Sequence, residues 1–299
     1  MKIFSGSANQ PLASKIANQL NSSVSPSEIF IFPDGERRVQ IQEKVVDQDV
    51  VIVQPTTPPT EIHYFELFFL ADAAKRSGAR SVTAVVPYLG YQRQDHVFRE
   101  GEAVSLEVIV NTMQSVSIDK VISFDLHTVK IPEVFSIPMV HLSALPLFAE
   151  EIIKHKWGGL DTVLVSPDMG GIRRIKMISE MLSGMPYATI EKNRDLATGS
   201  VEMAKITGEI THRVIIVDDM ISSGGTIVKA AKALKEKGAK EVYVFVTHPV
   251  FASEAPKILQ ESEVDQVYVT DSVFVPKEKQ FPKLEILSLS HLIAKAFTQ

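Results

Sequence analysis

The sequence predicts an α/β protein of two similar domains, each a mainly parallel sheet flanked by helices. Three observations predict it. Runs with strand character alternate with helical periodicities along the whole chain, the pattern of a layered α/β fold. Two distant segments, Lys75 to Pro87 and Lys235 to Val246, read alike: a basic helix end, a glycine, then a strand. The chain has 299 residues, 45% hydrophobic and 22% charged, which is enough for two ordinary cores.

In the first domain, residues 1–142, period-two and β-branched runs predict strands at 2–4, 28–32, 49–54, 81–86 and 120–125. Helical periodicity fills the gaps at 9–20, 61–77 and 104–116. The second domain, residues 143–299, begins with a helix over 143–155 and continues with strands at 162–166, 186–190, 213–218, 241–246 and 265–269. Its other helices are expected at 170–183, 224–237, 253–261 and 289–297. No Gly/Ser-rich linker marks the border near 140–146, so close packing is expected there. The strand Asp49 to Gln54 corresponds to Arg213 to Asp218, so the halves read as two copies of one fold.

The copies diverge after those strands. The first continues Gln54-Pro55-Thr56-Thr57-Pro58-Pro59, whose prolines remove the backbone donors a phosphate needs. The second continues Asp218-Asp219-Met220-Ile221-Ser222-Ser223-Gly224-Gly225-Thr226 and then turns helical. Two acids at the carboxyl end of a buried strand, a glycine turn and a helix N-terminus suit a phosphorylated sugar. The acids accept from ribose hydroxyls, and the turn and helix donate to the phosphate. A plain helix cap after a core strand is the alternative, but charges are seldom buried unpaired.

Bulk properties exclude other classes. A net charge of -5 argues against broad nucleic-acid binding, and the lack of cysteine excludes disulfides, thiolate metal sites and cysteine nucleophiles. No apolar run reaches the ~18 residues of a membrane span, and the N-terminus lacks a signal peptide's apolar region, so a soluble cytoplasmic protein is expected. No Gly-x-x-x-x-Gly-Lys-Ser/Thr occurs, so no P-loop holds a nucleotide.

Three more polar segments lie at predicted strand ends, where open α/β sheets place ligands: Arg93-Gln94-Asp95, Asp125-Leu126-His127 and Ser166-Pro167-Asp168. Each alone reads equally well as a solvated loop or a satisfied pair. The 214–226 segment resembles the phosphoribosyl-diphosphate loop of the type I phosphoribosyltransferase fold. Together with Phe32-Pro33-Asp34-Gly35-Glu36, Pro87 to Asp95 and Glu191-Lys192-Asn193-Arg194, these segments make the whole chain resemble the ribose-phosphate pyrophosphokinases, or phosphoribosyl-diphosphate synthetases.

That resemblance implies transfer of diphosphate from ATP to the 1-hydroxyl of ribose 5-phosphate, releasing AMP, with Mg²⁺ as cofactor. It implies ATP contacts from Arg93, Gln94 and Asp95, and adenine contacts from Phe32, Asp34 and Glu36 of a neighbouring subunit. Asp34-Gly35 also reads as a hairpin turn, and both roles are compatible. His127 and Asp168 match the Mg²⁺ site. Asp218 and Asp219 take the ribose hydroxyls, and Ser222, Ser223, Gly224, Gly225 and Thr226 the 5-phosphate. Lys192 and Arg194 match a catalytic loop that closes over the triphosphate, whereas without the resemblance Glu191 to Gly199 reads as a solvated loop. A homo-oligomer is implied, a dimer at least, with hexamers in the family.

Two departures stand out. Many members carry an acid where this chain has Ser222, and the Gly224-Gly225 form resembles archaeal members. The stretch after Asp95, His96 to Ser105, has fewer basic residues than phosphate-activated members show, so weak phosphate activation is expected. The competing readings are a non-catalytic synthetase-associated subunit and a phosphoribosyltransferase. Trp157, the sole tryptophan, is expected to pack rather than to act.

Overall fold

The computed structural model describes residues 1–194 and 201–298, with the side chains of 192–194 and 201–204 outside that description. The elements of the first half are β1 (Lys2–Ser5), α1 (Gln10–Gln19), β2 (Ser27–Ile31), β3 (Arg37–Ile41), β4 (Asp49–Val53) and α2 (Thr60–Arg76). They continue with β5 (Ser81–Val85), α3 (Ser105–Ser115), β6 (Lys120–Phe124), β7 (Met139–Leu142) and α4 (Leu145–Lys154). The second half runs β8 (Thr162–Ser166), α5 (Ile172–Met181), β9 (Tyr187–Arg194), β10 (Val201–Thr207), β11 (Arg213–Ile221) and α6 (Gly225–Glu236). It ends with β12 (Glu241–Pro249), α7 (Ala255–Glu261), β13 (Gln266–Thr270), β14 (Leu284–Leu287) and α8 (Ser290–Thr298).

The expected α/β class, parallel sheets flanked by helices, is the one observed. One sheet has the order β1-β4-β5-β6-β7, parallel throughout. The other runs β10-β9-β8-β11-β12-β13-β14 and is parallel except for the β9–β10 hairpin at its edge. The two orders are the same sequence of elements repeated: β1, β4, β5, β6 and β7 recur as β8, β11, β12, β13 and β14. The hairpin β2–β3 recurs as β9–β10, and helices α1 to α4 recur as α5 to α8. Registers agree as well. Asp49 pairs with Ser81 as Arg213 pairs with Glu241, and Val50 pairs with Lys2 as Arg213 pairs with Thr162 within one position.

The central strands are apolar on both faces because helices cover both sides, which is why they read as continuous runs. Each sheet has its own core. The first gathers Phe4, Ile52, Tyr64, Leu67, Leu70 and Val110, the second Val165, Val214, Ile216, Leu234, Val244 and Val267.

The chain divides into two compact units. One comprises Met1–Leu142, Ser272–Phe274 and the segment from Ser288; the other comprises Ser143–Asp271 and Val275–Leu287. The closing helices are therefore exchanged. Helix α8, which ends the second copy, packs on α1 in the first unit, and α4, which ends the first copy, packs on α5 in the second.

Four strands were not expected from the sequence: β3, β7, β10 and β14. Two expectations about the proposed site need correction. Strand β11 runs on to Ile221, past the expected end at 218, so Asp219 as well as Asp218 lies within the strand and neither ends it. Residues Glu191 to Arg194 form the end of β9, paired with β10, rather than a loop.

Candidate active site

In the second unit, β8 and β11 are parallel neighbours, paired from Thr162 opposite Arg213 to Val165 opposite Ile216, so β11 runs on past the end of β8. Asp168 follows β8 and opens the turn into α5; its carboxylate accepts from the Gly171 N–H at 3.3 Å. The Ser166 hydroxyl closes the same turn on the Asp168 carbonyl at 2.8 Å. A Cβ on Gly171 would meet Ser166 Oγ at 2.3 Å, so this close approach of helix to strand needs glycine there.

Asp218 and Asp219 lie one strand over, their side chains 13% and 8% exposed. Two acids this close and this buried repel each other, and one cation answers both. Arg174, on the first turn of α5, reaches Asp218 Oδ1 at 3.2 Å and Asp219 Oδ2 at 3.6 Å. Backbone donors complete the set: the Asp219 N–H donates to Asp218 at 2.9 Å, and the Met220 N–H to Asp219 at 3.0 Å. Burial first, then the neighbouring Asp219 charge, push the Asp218 carboxyl well above the usual range; Arg174 pulls it back, and Asp168 adds a further upward push. Arg174 is the residue that sequence reasoning missed.

The turn after β11 is fastened from one side. Phe251 N–H donates to Ile221 O at 3.1 Å, and Ala252 N–H to Ser222 O at 3.0 Å. Gly224 has φ +80°, and a Cβ there would sit 3.3 Å from Ile258 Cδ1. It caps α6 with no side-chain bond, so the first N–H groups of the helix, at Gly225 and Thr226, stay open toward the turn. The result is a carboxylate pair followed by a glycine turn and a helix N-terminus.

In the first unit, the segment after β5 and the end of β6 meet. The His127 N–H donates to Gln92 Oε1 at 2.9 Å, and Thr128 Oγ1 donates to Asp95 at 2.9 Å. Asp95 also pairs with His96 Nδ1 at 2.7 Å. Burial raises the Asp95 pKa, but the bonds from Thr128 and His96 outweigh it, so the group stays below its ordinary value. Asp95 thus fixes the loop that carries His127, while Arg93, Gln94 and His127 point outward as exposed residues.

Phe32, Asp34 and Glu36 form a separate neighbourhood at the tip of the β2–β3 hairpin. Phe32 N–H donates to Glu36 O at 2.8 Å, Asp34 accepts from the Glu36 N–H at 3.1 Å, and Gly35 takes φ +92°. Beside the tip, Glu61, Phe65 and Phe69 help line a hollow of about 470 Å³. Lys192 and Arg194 lie on β9, opposite Met203 and Val201, and their side chains lie outside the described residues. Trp157 stacks on Tyr243 at 4.0 Å and on His155 at 4.3 Å, a packing role.

Among the described residues, no three His, Asp or Glu side chains converge tightly enough to hold a metal ion by themselves. The donors present are nevertheless hard oxygens: Asp168, Asp218 and Asp219, with Arg174 beside the last two. That set fits Mg²⁺, which keeps waters and phosphate oxygens in its shell.

Known proteins place this geometry. Residues 1–116 match the family model for the N-terminal domain of ribose phosphate pyrophosphokinase, and residues 187–299 the model for the phosphoribosyl synthetase-associated domain. The chain is 39% identical over 297 residues to a ribose-phosphate pyrophosphokinase of Gloeobacter violaceus, covering 99% of this chain and 89% of that one. It is 39% identical over 298 residues to the Thermotoga maritima protein of that name, covering 99% and 93%. The crystal structure of a phosphoribosylpyrophosphate synthetase from Mycobacterium smegmatis superposes with a TM-score of 0.91 at 33% identity, covering 99% of this chain and 97% of that one.

Proposed function

This chain belongs to the ribose-phosphate pyrophosphokinase family and is an enzyme of that kind, and on that premise we propose its reaction. The 1-hydroxyl oxygen of ribose 5-phosphate attacks the β-phosphorus of ATP. The new O–Pβ bond forms as the bond to the α,β-bridging oxygen breaks; AMP leaves with that oxygen, and the hydroxyl proton passes to solvent. The product, 5-phosphoribosyl 1-diphosphate, feeds nucleotide biosynthesis in the cytoplasm.

The observation that carries this reading is the pair Asp218 and Asp219, held by Arg174 immediately before a glycine turn and an open helix end. The carboxylates accept from the ribose 2- and 3-hydroxyls. The turn Ser222 to Thr226 donates to the 5-phosphate, where the helix end favours negative charge. In this reading residues 1–142 supply the nucleotide contacts and 143–299 the sugar site. Arg93 and Gln94 bind ATP directly, with Asp95 positioning their loop. Phe32, Asp34 and Glu36 serve adenine in a neighbouring copy. Exposed Phe30, Ile31, Phe32, Phe65 and Phe69 supply apolar surface for such self-association, a dimer at least.

His127 and Asp168 would hold Mg²⁺, which supplies charge neutralisation on the transferring diphosphate. Lys192 and Arg194 add positive charge to the same group from the end of β9. Alignment and charge carry such a transfer, so no strong base is needed, which fits Ser222 in place of an acid.

The decisive experiment is AMP release from ATP and Mg²⁺ with and without ribose 5-phosphate. Release that requires the sugar is expected, and weak dependence on inorganic phosphate with it. Lys192→Ala is expected to lower kcat on the order of 10²-fold, as loss of a transition-state donor does elsewhere, with KM nearly unchanged. Near-normal turnover in that variant would refute the role.

A further inference from the structure

The repeated topology shows where a second site would lie. In the second unit the proposed sugar site lies between the residues after β8 and the segment that leads from β11 into α6. In the first unit, the equivalent places are the residues after β1 and the segment that leads from β4 into α2, with the β2–β3 hairpin beside them. A cavity of about 370 Å³ sits there, within the size range of small-ligand sites (roughly 300–1,000 Å³). Its polar lining includes Ser7, Gln10, Ser27, Arg37, His63 and Glu66.

The lining is organised around a buried charge. Glu66, on α2, is 2% exposed. Its carboxylate accepts from Ser7 N at 3.1 Å, Ser7 Oγ at 2.6 Å and Gln54 Nε2 at 3.0 Å. Gln54 stands where the second copy has Asp218, so an amide and a carboxylate from the next helix replace an acid pair. Arg37 Nε lies 3.4 Å from Glu66, off the line of a hydrogen bond, and is buried without an acceptor. A buried donor left unmade costs free energy that a ligand acceptor would return.

The charges select the ligand. Glu66 and Arg37 cancel, so the cavity offers no net attraction to a phosphate. The loop 54–59 carries prolines at 55, 58 and 59, and so lacks the N–H groups that the matching turn 222–226 presents. Hydroxyls, one carboxylate and one unfilled guanidinium donor suit neutral hydroxyl groups, and Ile29 and Ile62 suit an apolar ring face.

We propose that this cavity binds a neutral ribosyl compound, a free pentose or a nucleoside, as a degenerate counterpart of the phosphorylated-sugar site. The proposal leans on the reading of the second unit only for the choice of a ribosyl ligand.

The test uses the full-length protein saturated with ribose 5-phosphate and a non-hydrolysable ATP analogue, titrated with D-ribose and with adenosine by ligand-observed NMR. Binding of one or both is expected. Ribose alone would mark the free sugar as the ligand, and adenosine with ribose the nucleoside. Ile29→Trp, which fills the cavity, and Arg37→Gln, which removes the unfilled donor, should each weaken binding at least tenfold. Ribose 5-phosphate-dependent AMP release should persist in Ile29→Trp. Should Ile29→Trp fail to fold, Arg37→Gln reads the same site. No binding by the saturated wild type would overturn the proposal, as would binding that survives both substitutions. Asp218→Asn should leave this binding intact, so a failed catalytic reading and a failed second site give different results.

Discussion

At the scale of single residues, the acid pair was legible and its cation was not. Asp218 and Asp219 stand out because two adjacent acids interrupt an apolar strand. Arg174 sits in Ile172-Arg173-Arg174-Ile175, where a basic residue on an amphipathic helix is unremarkable; only the crossing of α5 over β8 and β11 aims it at the pair. Arg174→Ala should leave two buried carboxylates repelling each other, with Asp218 driven further toward its protonated form. Both changes weaken acceptance from ribose hydroxyls. KM for ribose 5-phosphate is expected to rise about 10- to 100-fold, with a much smaller change in kcat. Arg174→Lys should fall between, since one ammonium reaches one carboxylate while a guanidinium spans both. Steady-state kinetics on the three proteins check this; an unchanged KM with a collapsed kcat would show that Arg174 acts on the chemistry rather than on the sugar. The roles proposed for His127, Lys192 and the hairpin tip rest on the resemblance, because a lone His or Lys carries no sequence signal of its own.

At the scale of elements, the repeat seen in the sequence has a mechanism. Lys75, at the end of α2, donates to Arg80 O and pairs with Asp119, whose carboxylate also accepts from the Val82 N–H at 2.6 Å. Lys235, at the end of α6, does the same with Lys240 O and Asp265, which accepts from the Val242 N–H at 2.7 Å. One device, used twice, fastens a helix end, the following strand and the turn before the next strand. Asp265→Ala and Asp119→Ala should each cost about 1 kcal/mol, the usual net worth of one such bond, measured by denaturant unfolding. Equal losses are expected; a neutral result at either site would show that the ion pair there is cosmetic. A second pair tests pH. Arg80 Nε donates to Asp49 Oδ1 at 2.9 Å, and with Ser81 it lowers the Asp49 pKa from 3.8 to about 2. A carboxyl depressed on folding stabilises above its unfolded pKa and loses that contribution as pH falls toward the folded value. Asp49→Asn should therefore differ from wild type in unfolding midpoint above about pH 5, and the difference should shrink toward pH 2. The exposed position keeps the effect small. The strands that escaped the sequence reading share one trait. The strands β7, β10 and β14 are sheet edges, and β3 is half of a separate hairpin. Edge strands bury one face or less, as the alternating burial of Arg37–Ile41 shows, so they lack the apolar runs that announced the central strands.

At the scale of the whole molecule, the chain's two copies and its two compact units are not the same partition. The first unit is completed by α8, which the chain supplies only after the second copy is finished. Leu289 and Ile293 are fully buried, and α8 packs on α1, whose Leu12 and Ile16 are fully buried as well. Burial of a Leu or Ile side chain is worth about 1.5–3 kcal/mol, so removing α8 forfeits at least about 3–6 kcal/mol from the first unit. A domain holds only about 5–15 kcal/mol in all, so the loss is a large share. A chain ending at Leu287 should therefore melt in two steps. The first unit should go early, and the second unit, which keeps α4 and its own core, near the wild-type temperature. Circular dichroism with hydrogen exchange resolved by residue would separate the steps: amides of β4, β5 and β6 should lose protection first, while those of β11, β12 and β13 keep it. A synthetic peptide spanning residues 287–299 should restore part of that protection in trans, since it returns the same apolar face to α1. Uniform loss across both sheets would instead mean that the two units unfold as one cooperative body. Unchanged protection everywhere would mean that α8 contributes little to the fold it closes.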